Sequence, residues 1–279
     1  MIANRRDMTQ SALAARASGK WSREKLMLLE AYVRGFTVAC KRADGGCFID
    51  GFAGPGWNQD VHSGGLFAGS PQIAAASAFS AVYLIDTELE HIAALKSLSL
   101  GTHVRILQGD ANAIVPGIVG DLQPWLPVLI FMDQTANQLE FETLRQIARA
   151  NPRRKRKPEL LILLPTGMVL ARLFPCKGGV QHDRVLDRVF GTSQAWRQVV
   201  TATPPLRGPK LIEALARTYE NLLTTELGYV EPPIHRHILS HGERGRTLYT
   251  LVFATDHQVG TTIMSSCLKK RLSGQQSLL

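Results

Sequence analysis

Four aspartates, each set behind a short apolar run, carry the chemistry this chain can offer. Asp50 follows Cys47-Phe-Ile49, Asp86 follows Ala81-Val-Tyr-Leu-Ile85, Asp110 comes after Val104-Arg-Ile-Leu107 and Gln108-Gly109, and Asp133 closes the run from Trp125 to Met132. Short apolar runs bounded by turn signals read as buried strands. In an open α/β sheet, ligands bind beyond the carboxyl ends of the strands, so these carboxylates converge on one crevice. The first of them opens the stretch Asp50-Gly51-Phe52-Ala53-Gly54-Pro55-Gly56. Glycine is required where the backbone takes positive φ or lets a ligand come close. The spacing is Gly-x-x-Gly-x-Gly, not the Gly-x-Gly-x-x-Gly of dinucleotide sites. It points to an adenosine-type ligand with no pyrophosphate to cradle, although a glycine-rich turn after any buried strand would look similar. A carboxylate ending the second strand can accept both ribose hydroxyl protons, and Asp110-Ala111 after the third can meet an adenine amino group. Asp50 suits the ammonium end of a ligand such as S-adenosylmethionine. Asp133 is followed by Gln134, whose amide can hydrogen-bond the edge of an acceptor.

The elements that must position these groups alternate. Trp21 to Val38 carries Leu26, Leu29, Tyr32, Val33 and Phe36 at helical spacing. A first strand at 47–49 is followed by a polar, glycine-rich loop at 57–70, long enough to be a lid or substrate element. Ser70-Pro71 then opens an Ala-rich helix with Ser70 as N-cap. Strands at 81–85, 104–107, 125–132 and 160–164 alternate with helices at about 88–98 and 140–150. This βαβα order predicts a doubly wound, mostly parallel sheet with helices on both faces. The stretch 166–229 is too long for one crossover helix and predicts a helical insertion. Strands at 234–239 and 247–254, separated by Ser-His-Gly-Glu-Arg-Gly, predict a closing antiparallel hairpin.

Composition fits this outline. The chain has 279 residues, 45% hydrophobic and 20% charged, as expected of a soluble globular enzyme. No apolar run approaches the length that spans a bilayer. The four cysteines, at 40, 47, 176 and 267, have no zinc-binding spacing and fit a reducing, cytoplasmic compartment. The formal net charge is +9 with a pI near 9.7, part of the footprint of nucleic-acid binding. Much of the excess lies in Arg153, Arg154, Lys155, Arg156 and Lys157. That run reads either as a solubilising loop or as a phosphate-contacting patch near the substrate entrance. Residues 1–20 are expected to be a disordered basic arm, with one domain from 21 to 279.

At this level the sequence resembles the three-Cys-motif partner proteins. The resemblance rests on Asp50-Gly-Phe-Ala-Gly-Pro-Gly56, Gly69-Ser-Pro71, Tyr83-Leu-Ile-Asp86, Gly109-Asp110 and Phe131-Met-Asp133, and continues through Leu161-Ile-Leu-Leu-Pro165, Phe190-Gly-Thr192 with Trp196, and Leu251-Val-Phe-Ala-Thr-Asp-His257. It implies a Rossmann-like class I methyltransferase sheet of seven strands and an S-adenosylmethionine site. In that site Asp50, Phe52, Gly54 and Gly56 would form the cofactor loop, Asp86 would hold the ribose and Asp110 the adenine. It also implies a radical-SAM-like partner bearing three clustered cysteines. Relatives usually carry Asp-Pro after the fourth strand, where this chain has Asp133-Gln134. Enzymes that methylate amines use an Asp/Asn-Pro-Pro-aromatic turn there, so stacking of a flipped base would have to come from elsewhere. Two readings follow: a methyltransferase acting on nucleic acid, with Asp133 and Gln134 orienting the acceptor, or a non-catalytic, cofactor-binding subunit of a radical-SAM-like three-Cys protein.

Other motifs weigh less. Pro175-Cys176 resembles the nucleophile dipeptide of cytosine-C5 methyltransferases but falls after the fifth strand, which favours an incidental thiol. His182-Asp183 and His235-x-His237 read as surface residues rather than metal ligands. No nucleophile elbow or Walker loop is present. A metal-dependent hydrolase would need two or three carboxylates around one ion, which one acid per strand rarely provides.

Overall fold

The central strand, β2 (Cys47–Asp50), is buried at every position. Parallel strands flank it: β5 (Ala81–Asp86) on one side and β7 (Val128–Met132) on the other. β6 (Val104–Gln108) pairs with β5, and β8 (Glu159–Leu164) with β7, both parallel. β10 (Thr247–Ala254) runs antiparallel against β8, and β9 (Ile234–Leu239) antiparallel against β10. The seven-stranded order is β6-β5-β2-β7-β8-β10-β9, a Rossmann-like, mostly parallel sheet with the reversed hairpin expected of the class I methyltransferase arrangement. The computed structural model of the chain describes residues 14–43, 45–173, 180–240 and 245–272. The expected turn glycine Gly242 and the Pro175-Cys176 dipeptide lie outside those residues.

Successive side chains of a strand point to opposite faces, so each strand feeds two cores. Phe48, Leu84, Phe131, Leu161 and Phe253 pack with Leu29, Tyr32, Val33 and Phe36 of α1 (Lys20–Ala39) and with Met264 of α10 (Gln258–Leu272). Ile49, Ile85, Ile130 and Ile162 pack against α4 (Ala111–Asp121), α5 (Phe141–Arg149) and the insertion. Each fully buried Leu, Ile or Phe contributes about 1.5–3 kcal/mol of transfer free energy, so these two layers fix the register of the strands. The stripe read at 26–36 is therefore the buried face of α1. The same face also buries a lysine, Lys25.

The insertion comprises a π-helical turn at Thr166–Leu170, then α6 (Ala171–Leu173), α7 (Val180–Phe190), α8 (Ser193–Val200) and α9 (Gly208–Thr225). Its core residues, Leu186, Phe190, Trp196, Leu215 and Tyr219, join the Ile49 layer. The remaining helices are α2 (Ser70–Ala75) and α3 (Leu89–Ser97).

The N-cap of α2 is Gly69 rather than Ser70, with the Gly69 amide donating to Gln72 Oε1 at 3.1 Å, and two longer segments also differ from the sequence expectations. The stretch read as a lid loop contains a hairpin, β3 (Trp57–Asp60) and β4 (Leu66–Ala68), and the chain before α1 supplies β1 (Ala15–Ser18), parallel to β3. Residues 15–18 thus belong to a second, three-stranded sheet, not to the basic arm. Asp60 shapes the hairpin turn by accepting from the amides of His62 and Ser63 at 2.9 and 3.0 Å. Arg23 of α1 reaches over the turn, with its Nε 3.2 Å from Asp60 Oδ2 and its guanidinium stacked 4.3 Å from the Phe67 ring. The second difference is α4, absent from the sequence reading because Pro116, Gly117 and Gly120 obscure its helical pattern.

Candidate functional site

The glycine loop is built by its own backbone. Gly54 and Gly56 adopt φ of +65° and +91°, the left-handed region that only glycine enters at no steric cost. Asp86 fixes the loop from the neighbouring strand: its Oδ2 accepts from the Gly54 amide at 2.8 Å. Its Oδ1 accepts from the Glu88 amide at 2.9 Å and faces His91 Nδ1 at 3.1 Å. Asp110 caps α4 by accepting from the Asn112 amide at 2.9 Å. Gly51 is hemmed in, since a Cβ there would lie 2.6 Å from Met132 Sδ and 3.1 Å from Ala111 Cβ. The structure therefore gathers Asp50, Gly51, Phe52, Ala53, Gly54, Gly56, Asp86, Asp110 and Ala111 at the carboxyl ends of β2, β5 and β6.

Asp50 is fully buried at the head of this loop. Its Oδ1 accepts from the Phe52 amide at 3.1 Å, while Oδ2 has no hydrogen-bond partner among the described residues. Burial pushes its carboxyl up to about 7, against the opposing pull of Ser70 and the Phe52 amide. A buried carboxylate oxygen without a donor is costly, and a cationic ligand group placed there would remove that cost.

Asp133, at the end of β7, is the other buried acid of the crevice, and it is already engaged. Lys25 extends from α1 to form an ion pair with it, with both side chains under a tenth exposed. Burial lowers the Lys25 amine, opposed by Asp133 and more weakly by Asp50. Gln134 is buried too, and its Oε1 accepts from the Leu139 amide at 2.8 Å, so it shapes the turn after β7. Trp21 stacks on Tyr249 with ring centroids 5.3 Å apart, and the Lys25 amine lies 5.3 Å from the Trp21 ring. Arg16 of β1 donates to Thr135 Oγ1 at 2.7 Å. The cavity between the glycine loop, Lys25, Asp133 and the β3 hairpin measures only about 20 Å³, room for one water molecule.

Lys25, Trp21 and Tyr249 are the site residues the sequence did not disclose. Lys25 sits on the apolar stripe of α1, at a position where a lysine is nearly always exposed unless paired. That was the available signal. Its partner is 108 residues away.

The basic run lies elsewhere. Arg153 to Lys157 line a cavity of about 610 Å³ at the amino ends of β7 and β8, with Phe36, Trp125, Val128, Glu159 and Ile263. This is the opposite end of the sheet from the glycine loop, so the run is not beside the cofactor crevice. A parallel strand has two ends, and the 153–157 segment enters β8 rather than leaving it. Within the run, Arg154 is spent on the carbonyls of Leu126 and Gln123, and Lys157 pairs with Asp256 at 3.1 Å. Arg153 and Lys155 are exposed. At the cavity, Glu159 accepts from Tyr32 Oη at 2.5 Å and Thr255 Oγ1 at 2.8 Å. Burial raises it to about 7, against those two hydroxyls.

The two histidine motifs also have definite places. Asp183 pairs with Arg197 at 2.7 Å. His235 and His237 are partly buried against α9, contrary to the surface reading, and meet Glu213 there.

No family model and no curated protein matches the chain. Among solved structures it is similar to TYW2 of M. jannaschii in complex with AdoMet, at 11% identity over 85% of this chain and 75% of that one, with a TM-score of 0.41. It is also similar to Trm1 from Pyrococcus horikoshii with S-adenosyl-L-methionine, at 15% identity over 88% of this chain and 58% of that one, TM-score 0.47. A third is protein LPL1258 from Legionella pneumophila, at 7% identity over 88% and 90%, TM-score 0.48. The strand order β6-β5-β2-β7-β8-β10-β9 defines the fold by itself. No helix among the described residues is long and apolar enough to cross a membrane.

Proposed function

We propose that the chain is an S-adenosylmethionine-dependent methyltransferase that acts on nucleic acid. One observation carries this reading: the Asp50–Gly56 loop, anchored by the Gly54 amide on Asp86 at the carboxyl ends of β2 and β5, with a buried Asp50 oxygen left for a ligand cation. Asp50 would receive the ammonium, the Phe52–Gly56 backbone would pass under the ligand, Asp86 would hold the ribose, and Asp110 with Ala111 the adenine. When bound, the cofactor supplies an electrophilic methyl group. The chain's own part is then alignment of the acceptor and exclusion of water, not strong base catalysis. Asp133, with its charge balanced by Lys25, and Gln134 would border the acceptor. Trp21 on Tyr249 would supply the stacking surface that the turn after β7 lacks. The pocket between the glycine loop, Lys25 and Asp133 holds about 20 Å³ and is lined by Trp57 and Asn58 of β3, so an outward movement of the β3–β4 hairpin would open that end to the acceptor and its return would keep water out.

Calorimetric titration with S-adenosylmethionine or its demethylated product tests the cofactor. Heat is expected from the intact protein and none from Asp86→Ala; no heat from the intact protein refutes the assignment. The exposed part of the basic run, at the far end of the sheet, would contact phosphates of the substrate, with Trp125, 59% exposed, as a stacking surface for a base. Affinity for nucleic acid should fall with salt, and neutralising Arg153 and Lys155 should lower the slope by roughly one per lost contact. A flat salt response removes that part of the reading.

A second reading is favoured by the Lys25 pair, which occupies the carboxylate a catalytic turn would present. The chain would then be a cofactor-binding subunit in the manner of the three-Cys-motif partner proteins, serving a radical-SAM-like protein. Transfer of tritiated methyl to mixed RNA, DNA and protein pools separates the two. Label in nucleic acid establishes the enzyme, and none, from a protein that binds the cofactor, establishes the subunit.

A further inference from the structure

At the β9 edge of the sheet, away from the crevice, three side chains converge on one point. His235 and His237 stand two apart on β9 and so face the same side. That side is covered by α9, which presents Glu213, Arg217 and Glu220 at helical spacing. The Nε2 atoms of both histidines lie 3.0 Å from one carboxylate oxygen, Glu213 Oε2. One donor atom from each of the three residues lies within 4.8 Å of the other two. Each imidazole is also held from behind: His235 Nδ1 is 2.9 Å from Glu220 Oε1, and His237 Nδ1 is 2.9 Å from Thr250 Oγ1. Arg217 takes the outer oxygens, with Nε 2.8 Å from Glu213 Oε1 and Nη1 3.5 Å from Glu220 Oε2.

A neutral imidazole has one N–H and one lone pair. His235 faces a carboxylate oxygen on each nitrogen. As an imidazolium it donates to both, and the two glutamates hold its pKa above the ordinary value. In the neutral form with the Nδ1 proton on the Glu220 side, the Nε2 lone pair faces Glu213 Oε2 and a metal ion can take the place of the second proton. Around a tetrahedral zinc ion with bonds of about 2.0–2.2 Å, neighbouring ligand atoms sit roughly 3.3–3.5 Å apart. Each Nε2–Oε2 distance, now 3.0 Å, need only lengthen by a few tenths of an ångström. Glu220 and Thr250 stand where outer partners orient ligating histidines and fix their tautomer. Two imidazole nitrogens and one carboxylate oxygen suit zinc or a neighbouring transition metal rather than magnesium or calcium.

We propose that Glu213, His235 and His237 form a binding site for a divalent transition-metal ion, best fitted by Zn²⁺, with its fourth position open to solvent beside the 43% exposed Glu213 side chain. The ion pins the helical insertion, through α9, to the edge strand of the sheet. The site is separate from the crevice of Asp50 and Asp86, and its occupancy does not depend on the methyltransferase reading.

The test uses the full-length chain without a histidine tag, stripped with chelator and then titrated with Zn²⁺ against a chromogenic competitor. The intact protein is expected to bind one ion that the His235→Gln/His237→Gln double variant binds at least 100-fold more weakly. Zn²⁺ should raise the melting temperature of the intact protein and leave that of the variant unchanged. Cobalt should give the visible bands of a tetrahedral site. Glu213→Gln, at a partly exposed helical position, provides a ligand loss that leaves the fold intact, and it should also weaken binding. The proposal is overturned if folded wild-type and variant proteins bind Zn²⁺ equally. It is equally overturned if Zn²⁺ leaves the wild-type melting temperature unchanged, which would make the cluster a network held by protons and Arg217 alone.

Discussion

Replacing Lys25 by methionine tests the electrostatic design of the crevice most directly. The change keeps the length and apolar packing of the stem and deletes one charge. In the native chain Lys25 is the one cation, among the described residues, that pairs with Asp133, and both side chains are under a tenth exposed. Without it Asp133 is left buried and unpaired beside a second buried carboxyl, Asp50. Breaking a buried pair from one side costs about 3–5 kcal/mol. For a chain of this size each kcal/mol moves the melting temperature by roughly 2–4 °C, so Lys25→Met should lower it by about 10 °C. Asp133→Asn should cost less, about 1–3 kcal/mol, because burial already disfavours the charged Lys25 amine and Asn keeps an oxygen that can accept from it. The double variant Lys25→Met/Asp133→Leu should return to within about 1 kcal/mol of wild type, since an apolar pair can replace a buried ion pair without loss. With the single Asp133→Leu variant closing the cycle, urea melts of wild type, Lys25→Met, Asp133→Leu and the double variant give the coupling energy, expected to be 2 kcal/mol or more in favour of the pair. A Lys25→Met protein within 1 kcal/mol of wild type would refute the reasoning. So would a double variant as unstable as the sum of the two singles.

Further outcomes are expected. Glu159 is held near 7 by burial, above its ordinary 4.5. Between those values the folded chain keeps a proton the unfolded chain has released, so stability falls as pH rises through that window and levels off above it. At 1.36 kcal/mol per pH unit the full fall is about 3 kcal/mol, and pH-dependent melts of Glu159→Gln should lack it. Gly56→Ala places a methyl 2.7 Å from Leu98 Cδ1 at φ +91°, and should cost about 2 kcal/mol in a urea melt. Gly54→Ala meets nothing within 4 Å at φ +65°. It should cost about 1 kcal/mol, yet lower cofactor affinity in calorimetry at least tenfold, because its methyl points into the crevice. Gln134→Ala leaves the buried Leu139 amide without its acceptor and should cost about 1–3 kcal/mol by the same melt.

The legible parts of the structure were those whose physics is local. Strand 247–254 falls where read because its apolar run is buried on both faces, and 234–239 because the turn residues before Thr247 fold it back as the edge partner. The acids at 50, 86, 110 and 133 end strands or cap helices as expected, because turn chemistry is written in adjacent residues. The rest depends on partners distant in sequence. Lys25 stands out on the apolar stripe of α1, but its partner Asp133, 108 residues away, is visible only in the fold. Ala15–Ser18 has no strand signal of its own and pairs because β3 offers an edge. His235 and His237 lacked a third ligand until α9 supplied Glu213 from 22 positions earlier. The basic run was legible as a patch, but only the direction of β8 says which end of the sheet it occupies.

The small sheet over the crevice has a consequence for how the domain breathes. Its two halves, Ala15–Ser18 and Trp57–Asp60, meet in a ladder of four residue pairs, with few buried apolar side chains behind it. A unit so thin opens at a free energy well below that of global unfolding. Amide protons at Asn58 and Gln59 should therefore exchange with solvent through brief local openings, while those at Ile49 and Phe131 wait for the whole domain to unfold. The two protection factors measure different quantities: the inner strands report the stability of the protein, and the outer ladder reports how often its crevice is uncovered.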